Sequence, residues 1–249
     1  MDKYGLIGFP LGHSFSISYF NEKFQNEGID AKYMNFEIPV IENLPVILAS
    51  NPELKGLNVT IPYKEKVIGY LDDLSAEARA IGAVNVIKVT RKGGKSILKG
   101  YNSDVIGFTR SIEPMLEKFH KKALILGTGG ASKAVNYGLK SLGLETQFVS
   151  RTSQKGCISY NAITPELIKE YNVIVNCTPL GMYPKVNEFP QLPYEGMNEK
   201  NLLYDLIYNP DETMFMRKGK AQGAVTKNGL EMLLLQAFAS WEFWNSDTF

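Results

Sequence analysis

Cysteine is almost missing from this 249-residue chain: Cys157 and Cys177 are the only two, in no CxxC pair and no Cys/His cluster of metal-ligand spacing. That excludes a disulfide scaffold and gives no metal site. The two read as buried free thiols, with a single bridge between them as the alternative. Neither sign of charge is in excess, since 27 Lys+Arg face 26 Asp+Glu for a formal net charge of +1. Nothing global therefore draws the chain to nucleic acid or to an anionic membrane. No run approaches the ~18 consecutive apolar residues of a membrane span. Met1-Asp2-Lys3-Tyr4 has no basic stretch leading into an apolar one, so no signal peptide is expected. Repeats, low-complexity tracts and charge runs are absent too, and a cytoplasmic protein is the expectation.

What is present is ordinary for a soluble globular protein, with 44% apolar and 21% charged residues. At about 150 residues per domain the length gives one large or two modest domains, enough to bury a core without staples. Short apolar runs alternate with helical periodicities. Tyr4–Gly8, Tyr33–Ile38 and Gly56–Thr60 read as strands, and Ile17, Phe20 and Phe24 as one helix face closed by Gly28. Val84–Val89 and Ser96–Tyr101 flank a turn over Arg91-Lys92-Gly93-Gly94, and a helix follows over Val105–Phe119. A second alternation starts at Lys121, with strands at Ala123–Leu126, Thr146–Ser150, Val173–Asn176, Leu202–Leu206 and Ala224–Lys227. Helices fall at Ser132–Leu142, from the Thr164-Pro165-Glu166 start signal, and over Gly229–Trp244. The last is apolar on more than one side, which places it at a domain junction. Such β-α alternation predicts an α/β fold with mainly parallel sheet.

Gly127-Thr128-Gly129-Gly130-Ala131-Ser132 sits between a strand and a helix, where glycines let backbone N–H groups approach a pyrophosphate. Ser132 replaces the third glycine of the GxGxxG pattern but is still small. An NAD domain places an acid at the end of the next strand to bind the ribose. Here Phe148-Val149-Ser150-Arg151-Thr152 has none. Arginine suits a phosphate oxyanion, so the pattern favours NADP, with Arg151, Thr152 and Lys155 around its 2′-phosphate.

The first half carries polar groups at strand ends, where open α/β sheets bind ligands. Ser14 and Ser16 stand at a helix N-terminus and suit a carboxylate, although a single serine there, Ser16 included, is commonly only an N-cap. Asn58-Val59-Thr60-Ile61-Pro62-Tyr63-Lys64 delivers an amide, a hydroxyl and an ammonium to one strand end. Gly82-Ala83-Val84-Asn85 and Gly100-Tyr101-Asn102-Ser103-Asp104 do likewise. The second half adds Ser150-Arg151-Thr152, Asn176-Cys177-Thr178-Pro179-Leu180-Gly181-Met182, Asp205-Leu206-Ile207-Tyr208-Asn209-Pro210, and Gly229 through Met232-Leu233 to Gln236. In order and spacing, over nearly the whole chain, these motifs resemble the shikimate dehydrogenases of aromatic biosynthesis.

The resemblance implies a two-domain α/β protein that reversibly reduces 3-dehydroshikimate to shikimate with NADPH. Residues 1–104, joined by the C-terminal helix (about 229–249), would bind substrate, and 105–228 would form a Rossmann domain, with a cleft between. Lys64 and Asp104 become the catalytic acid/base pair. Ser14 and Ser16, assisted by Thr60 and Tyr208, take the substrate carboxylate, and Asn58, Asn85 and Gln236 the ring oxygens. NADP falls to Gly127, Gly129, Gly130, Ala131, Ser150, Arg151, Thr152, Lys155, Thr178, Met182 and Gly229. The partner is a small molecule only, and the chain a monomer or homodimer.

Several positions depart from the family pattern. Ile17 stands for Pro, Phe20 for His, Ser103 for Thr, Ser150 for Asn and Glu231 for Gly. Asn228-x-x-Glu231 has the spacing of a capping box, which is the alternative to a carboxylate near the nicotinamide. His13 reads as a backbone-orienting loop residue, His120 as solvated, and Met182 as core filler or nicotinamide contact. The rival readings are quinate/shikimate dehydrogenase with dual substrate or NAD use, and a silent NADP-binding sensor. A methylenetetrahydrofolate dehydrogenase would not carry the Ser14/Ser16 pair or Gln236.

Overall fold

The first strand, β1 (Asp2–Gly8), is buried from Tyr4 to Gly8 on both faces, as the centre of a parallel sheet requires. It pairs in parallel with β2 (Ala31–Glu37) and β3 (Leu54–Val59) in a computed structural model that describes residues 1–12, 14–152 and 155–246. With β4 (Asp73–Leu74), β5 (Val86–Lys92) and β6 (Lys95–Tyr101) the sheet runs β2-β1-β3-β5-β6-β4. β5 is antiparallel to β3 and to β6. The β5–β6 hairpin turns on Gly93-Gly94 alone, at φ 58° and 77°, the left-handed pair a two-residue turn demands. Arg91 and Lys92, expected in the turn, extend β5 instead.

Helices α1 (Phe15–Asn26), α2 (Leu44–Ser50) and α3 (Ala76–Ile81) accompany this sheet. α1 stops where expected, with Gly28 at φ 64° after the cap. Apolar side chains on one side of the sheet include Ile7, Leu44, Leu54, Leu57 and Ile87. Those on the other include Tyr4, Phe20, Phe24, Tyr33 and Trp244. The Trp244 indole lies so close over Gly56 that a Cβ there would run into it, and its Nε1 donates to the Ile87 carbonyl at 3.1 Å.

The second alternation begins with α4 (Asp104–Ile112). The expected helix to Phe119 ends early because Pro114 has no N–H to donate, and a 3₁₀ turn takes over at Glu113–Met115. Six strands follow: β7 (Lys122–Leu126), β8 (Glu145–Ser150), β9 (Cys157–Ser159), β10 (Val173–Asn176), β11 (Leu202–Asp205) and β12 (Val225–Lys227). All are parallel, in the order β12-β11-β10-β7-β8-β9. Counted from β7, that is the doubly wound 3-2-1-4-5-6 order of a Rossmann domain. Between and after them come α5 (Gly130–Ser141), α6 (Pro165–Glu170), α7 (Met214–Lys220) and α8 (Leu230–Asn245). Thr164 caps α6 as its sequence predicts, accepting the Leu167 N–H. Strand period sorts Ile125 and Val175 into one apolar cluster and Leu124, Leu126 and Ile174 into another.

The chain divides into Met1–Ser103 with Ala237–Phe249, and Asp104–Gln236, so α8 starts in the second unit and ends in the first. Both cysteines are free; Cys157 is half-buried rather than buried, while the Cys177 thiol is buried, which pushes it well above its ordinary value. His120 is not solvated: it is buried, its Nδ1 accepting the Glu117 N–H at 2.9 Å and its Nε2 donating to the Lys200 carbonyl at 3.1 Å. Among the described residues no helix is long and apolar enough to cross a membrane.

Gly107 lets α4 close on α8, since a Cβ there would sit 2.5 Å from the Met232 carbonyl oxygen and 3.0 Å from the Gln236 nitrogen. Both are backbone atoms and cannot swing aside. Gly107→Ala is expected to cost about 1–3 kcal/mol. Gly69→Ala, with nothing within 4 Å, should stay within about 0.5 kcal/mol. Chemical denaturation of the two variants checks this, and equal losses would remove the packing argument.

Candidate active site

In the first unit the expected substrate residues gather at strand ends. α1 begins at Phe15, so Ser14 rather than Ser16 occupies the N-cap position, and its side chain makes no capping hydrogen bond. Ser16 lies in the first helical turn and bonds through its hydroxyl to Tyr33. His13 lies outside the described residues. Thr60 follows β3 half-buried, its N–H on the Ile7 carbonyl at 2.9 Å. The Lys64 carbonyl accepts the Val84 N–H at 2.7 Å, tying the 58–64 segment to the 82–85 segment. Lys64 itself is half-buried.

Asn58 and Asn85 are buried and joined. Asn58 Nδ2 donates to the Asn85 carbonyl at 3.3 Å and to Ser240 Oγ at 3.0 Å, while its Oδ1 accepts from the Tyr33 hydroxyl at 2.8 Å. Asn85 Nδ2 donates to Ser103 Oγ at 2.9 Å, its Oδ1 accepts the Ser103 N–H at 2.6 Å, and Ser103 and Ser240 share a hydroxyl bond of 3.1 Å. Burial pushes the Tyr33 phenol above its ordinary value, with the Ser16 hydrogen bond pulling the other way. Tyr33 and Ser240 escaped the sequence reading. The available signals were a tyrosine on a buried strand, which needs a partner for its hydroxyl, and a lone serine in an apolar stretch of α8.

In the second unit Gly127 turns the chain at φ 105° after β7, and Gly129 caps α5 with open space beside it. Gly130 and Ala131 supply first-turn N–H groups without helical acceptors. Ser132 is buried and donates to the Gly129 carbonyl at 2.7 Å, closing the turn that a third glycine would leave open. Ser150 Oγ at the end of β8 accepts the Thr152 N–H at 3.2 Å, and Arg151, Thr152 and Lys155 are exposed beyond it. Burial raises the Tyr160 phenol to about 12, and the Arg151 guanidinium opposes that rise. The glycine turn, the open helix start and the cationic end of β8 could together hold a phosphorylated dinucleotide.

Beside that loop a single carboxylate organises two others. Asp205 is fully buried at the end of β11. Its Oδ1 accepts from Asn176 Nδ2 at 3.1 Å and from the Ile207 N–H at 3.0 Å, and its Oδ2 from the Thr213 hydroxyl at 2.7 Å. Asn176 Oδ1 in turn accepts the Thr178 N–H at 3.0 Å and the Thr178 hydroxyl at 2.7 Å. Thr178 is also the side chain that faces Gly127. The Tyr183 N–H donates to the Asn209 carbonyl at 3.2 Å, which joins the Met182 loop to the Tyr208 loop. Met182 is 48% exposed and so not core filler, and Tyr208 is 38% exposed.

Asp104 is buried as the first residue of α4. Gln236 is part-buried on α8, its Nε2 on the Leu233 carbonyl at 2.9 Å. Gly229 donates to the Ile207 carbonyl at 3.0 Å, and a Cβ there would run into the Leu206 carbonyl. The capping box at Asn228 does not form. Asn228 Oδ1 instead accepts the Leu230 N–H at 3.2 Å, and Glu231 pairs with Lys227 one turn earlier.

Known proteins are similar to this chain in sequence and in fold. The shikimate dehydrogenase substrate binding domain matches residues 6–87. A relative from Carboxydothermus hydrogenoformans, named Shikimate dehydrogenase (NADP(+)), is 40% identical over 257 residues, covering 96% of this chain and 90% of its own length. The chain belongs to the shikimate dehydrogenase family. The Thermus thermophilus shikimate 5-dehydrogenase, solved with NADP(H) and shikimate, superposes with a TM-score of 0.84 at 31% identity, covering 98% of this chain and 94% of that one. A Listeria monocytogenes shikimate 5-dehydrogenase, solved with shikimate and NAD, gives 0.83 at 28% identity, covering 98% and 91%.

Against the shikimate dehydrogenase pattern, Phe20 is a departure with a consequence for packing. It is fully buried and stacks on Tyr33 with ring centroids 4.8 Å apart at 14°, a contact worth ~0.5–1.5 kcal/mol beyond its area.

Burial raises the Asp205 carboxyl from 3.8 to about 6, the hydrogen bonds from Thr213, Ile207 and Asn176 opposing it. Because the folded value lies above the unfolded one, the folded state holds a proton the unfolded chain has lost. Stability from this group is therefore present below pH 4 and lost as pH rises through 6, by up to about 3 kcal/mol. The difference in denaturation free energy between wild type and Asp205→Asn, followed from pH 4 to 7, should show that slope. A flat difference would exclude Asp205 as its source.

Proposed function

We propose that this chain is an NADP-dependent shikimate dehydrogenase that reversibly reduces 3-dehydroshikimate to shikimate, on the route to chorismate and the aromatic amino acids. The observation that carries this is end-to-end similarity to curated proteins of that name, over 96% of the chain. The site supports it through polar side chains at the strand ends of the first unit and a phosphate-suited glycine turn in the second. The first unit holds the substrate and the second the dinucleotide, in the cytoplasm.

When bound, the nicotinamide supplies a hydride to the ring ketone or takes one back from the alcohol. Hydride arrival leaves an oxyanion that needs a proton, and the reverse reaction needs a base. Lys64 stabilises that charge and carries the proton, with Asp104 as its carboxylate partner. Ser14 and Ser16 hold the substrate carboxylate with Thr60 and Tyr208, while Asn58, Asn85 and Gln236 meet ring oxygens. Gly127, Gly129, Gly130 and Ala131 admit the pyrophosphate to the start of α5. Arg151, with Ser150, Thr152 and Lys155, receives the adenosine phosphate. Thr178, Met182 and Gly229 line the nicotinamide end.

A second reading, use of NAD, is favoured by one observation: the Listeria relative was solved with NAD, and here Ser150 stands where Asn is usual. Reduced-nicotinamide absorbance with shikimate or quinate, each paired with NADP or NAD, separates the readings. Turnover with shikimate and NADP is expected, and preference for quinate or NAD would move the chain to the dual-specificity branch. Silence in all four with NADP bound would make it a sensor.

Lys64→Ala should lower turnover by about 10³-fold while NADP still binds. Retained activity would remove Lys64 from the chemistry. Arg151→Ala should weaken NADP far more than NAD, and equal losses would mean the guanidinium stacks on adenine rather than binding phosphate.

A further inference from the structure

A primary amide carries two N–H donors and an oxygen that accepts twice. In Asn58 three of those four capacities are already committed inside the first unit. Both N–H groups are donated, to the Asn85 carbonyl and to Ser240 Oγ, and the oxygen accepts the Tyr33 hydroxyl. Turning the amide over would set its oxygen against the Asn85 carbonyl, two acceptors with no proton between them, so the orientation has one solution. Tyr33 is itself fixed, buried flat against Phe20. Ser240 is buried between Asn58 and Ser103, which holds Asn85.

We propose that Tyr33 and Ser240 are positioning residues that lock the Asn58 amide with only an acceptor left over, so that Asn58 takes the proton of a substrate hydroxyl that stays a hydroxyl throughout the reaction. This rests on the shikimate reading. The reacting ring oxygen is a carbonyl in one direction and has no proton to give, so it does not belong to Asn58. A ring hydroxyl elsewhere donates to the remaining lone pair of Asn58 Oδ1. The lock thus orients the ring through a group the chemistry leaves alone.

The test measures KM and kcat for shikimate, and KM for NADP, in wild type, Tyr33→Phe, Ser240→Ala and Asn58→Ala, and in each positioning variant combined with Asn58→Ala. Tyr33→Phe keeps the ring stack and loses only the hydroxyl. Each positioning variant is expected to raise the shikimate KM by about 10-fold, the equivalent of one hydrogen bond, with kcat and the NADP KM within about twofold. In the Asn58→Ala background the part of that effect carried by Asn58 should vanish, because residues acting through a shared partner are not additive, leaving only the smaller part that Tyr33 exerts through Ser16 and Ser240 through Ser103. A merely structural role would give additive losses and overturn the proposal.

Shikimates with fluorine in place of the hydroxyl at C4 or at C5, which cannot donate there, supply a readout on unaltered protein. One of them should show a raised KM with wild type and no such penalty with Asn58→Ala. Neither analogue penalised, or a penalty undiminished in Asn58→Ala, would overturn the acceptor assignment even where a variant fails to fold. Wild type inactive on shikimate would overturn the functional reading and this inference with it. Additive losses in an active enzyme would overturn the inference alone.

Discussion

Burying an amide or a carboxylate at the end of a strand is tolerable only when its donors and acceptors are met. Both units are built around that constraint. In the first, the Asn58 amide draws together Tyr33 on β2, the Asn85 backbone before β5 and Ser240 on α8. In the second, the Asp205 carboxylate draws together Asn176 on β10, the Ile207 backbone and the cap of α7 at Thr213. Each strand end is thereby braced by hydrogen bonds close to where a loop leaves it. Of the residues proposed to meet shikimate or NADP, Asn85, Ser16, Thr178 and Tyr208 are tied to these two buried groups directly or through one neighbour.

The two solutions differ in what they do to charge. The Asn58 network is built from amides and hydroxyls, and burial pushes its titratable Tyr33 phenol further above its ordinary value. Asp205 lies in a site whose burial favours its protonated form despite three hydrogen bonds that favour the ion. Burial outweighs them, because taking a carboxylate out of water costs its charged form more than these three donors return. The loops carrying Thr178 and Tyr208 thus hang from a carboxyl raised to about 6, whereas the helix carrying Ser16 and the strand carrying Asn58 do not.

Much of this was legible in the sequence, for reasons that also explain what was not. Long elements announce themselves by period and punctuation, as α1 does with Gly28 and α6 with Thr164 and Pro165. α2, α3, α7 and β9 span three to seven residues, too few for a period to separate from chance. Pro114 and the Gly93-Gly94 pair set boundaries by local rules that override the longer apolar pattern around them. The candidate site residues were legible as residue types at strand ends. Their supports were not, because the bonds from Asn58 to Tyr33 and Ser240 span 25 and 182 residues, and only the folded chain makes them neighbours. The burial of His120 and the partial exposure of Cys157 depend on the folded chain for the same reason.

The split membership of α8 sets an order on synthesis. The second unit is one continuous stretch, Asp104–Gln236, and every strand of its sheet has left the ribosome before α8 does. The first unit has its six strands early but lacks Ala237, Ser240 and Trp244 until the closing residues emerge. Until then one face of its sheet, with Tyr4, Phe20, Phe24 and Tyr33, waits without the indole that covers Gly56. The unit translated first is therefore the one finished last, and its aromatic face must stay out of trouble for as long as the other unit takes to be made.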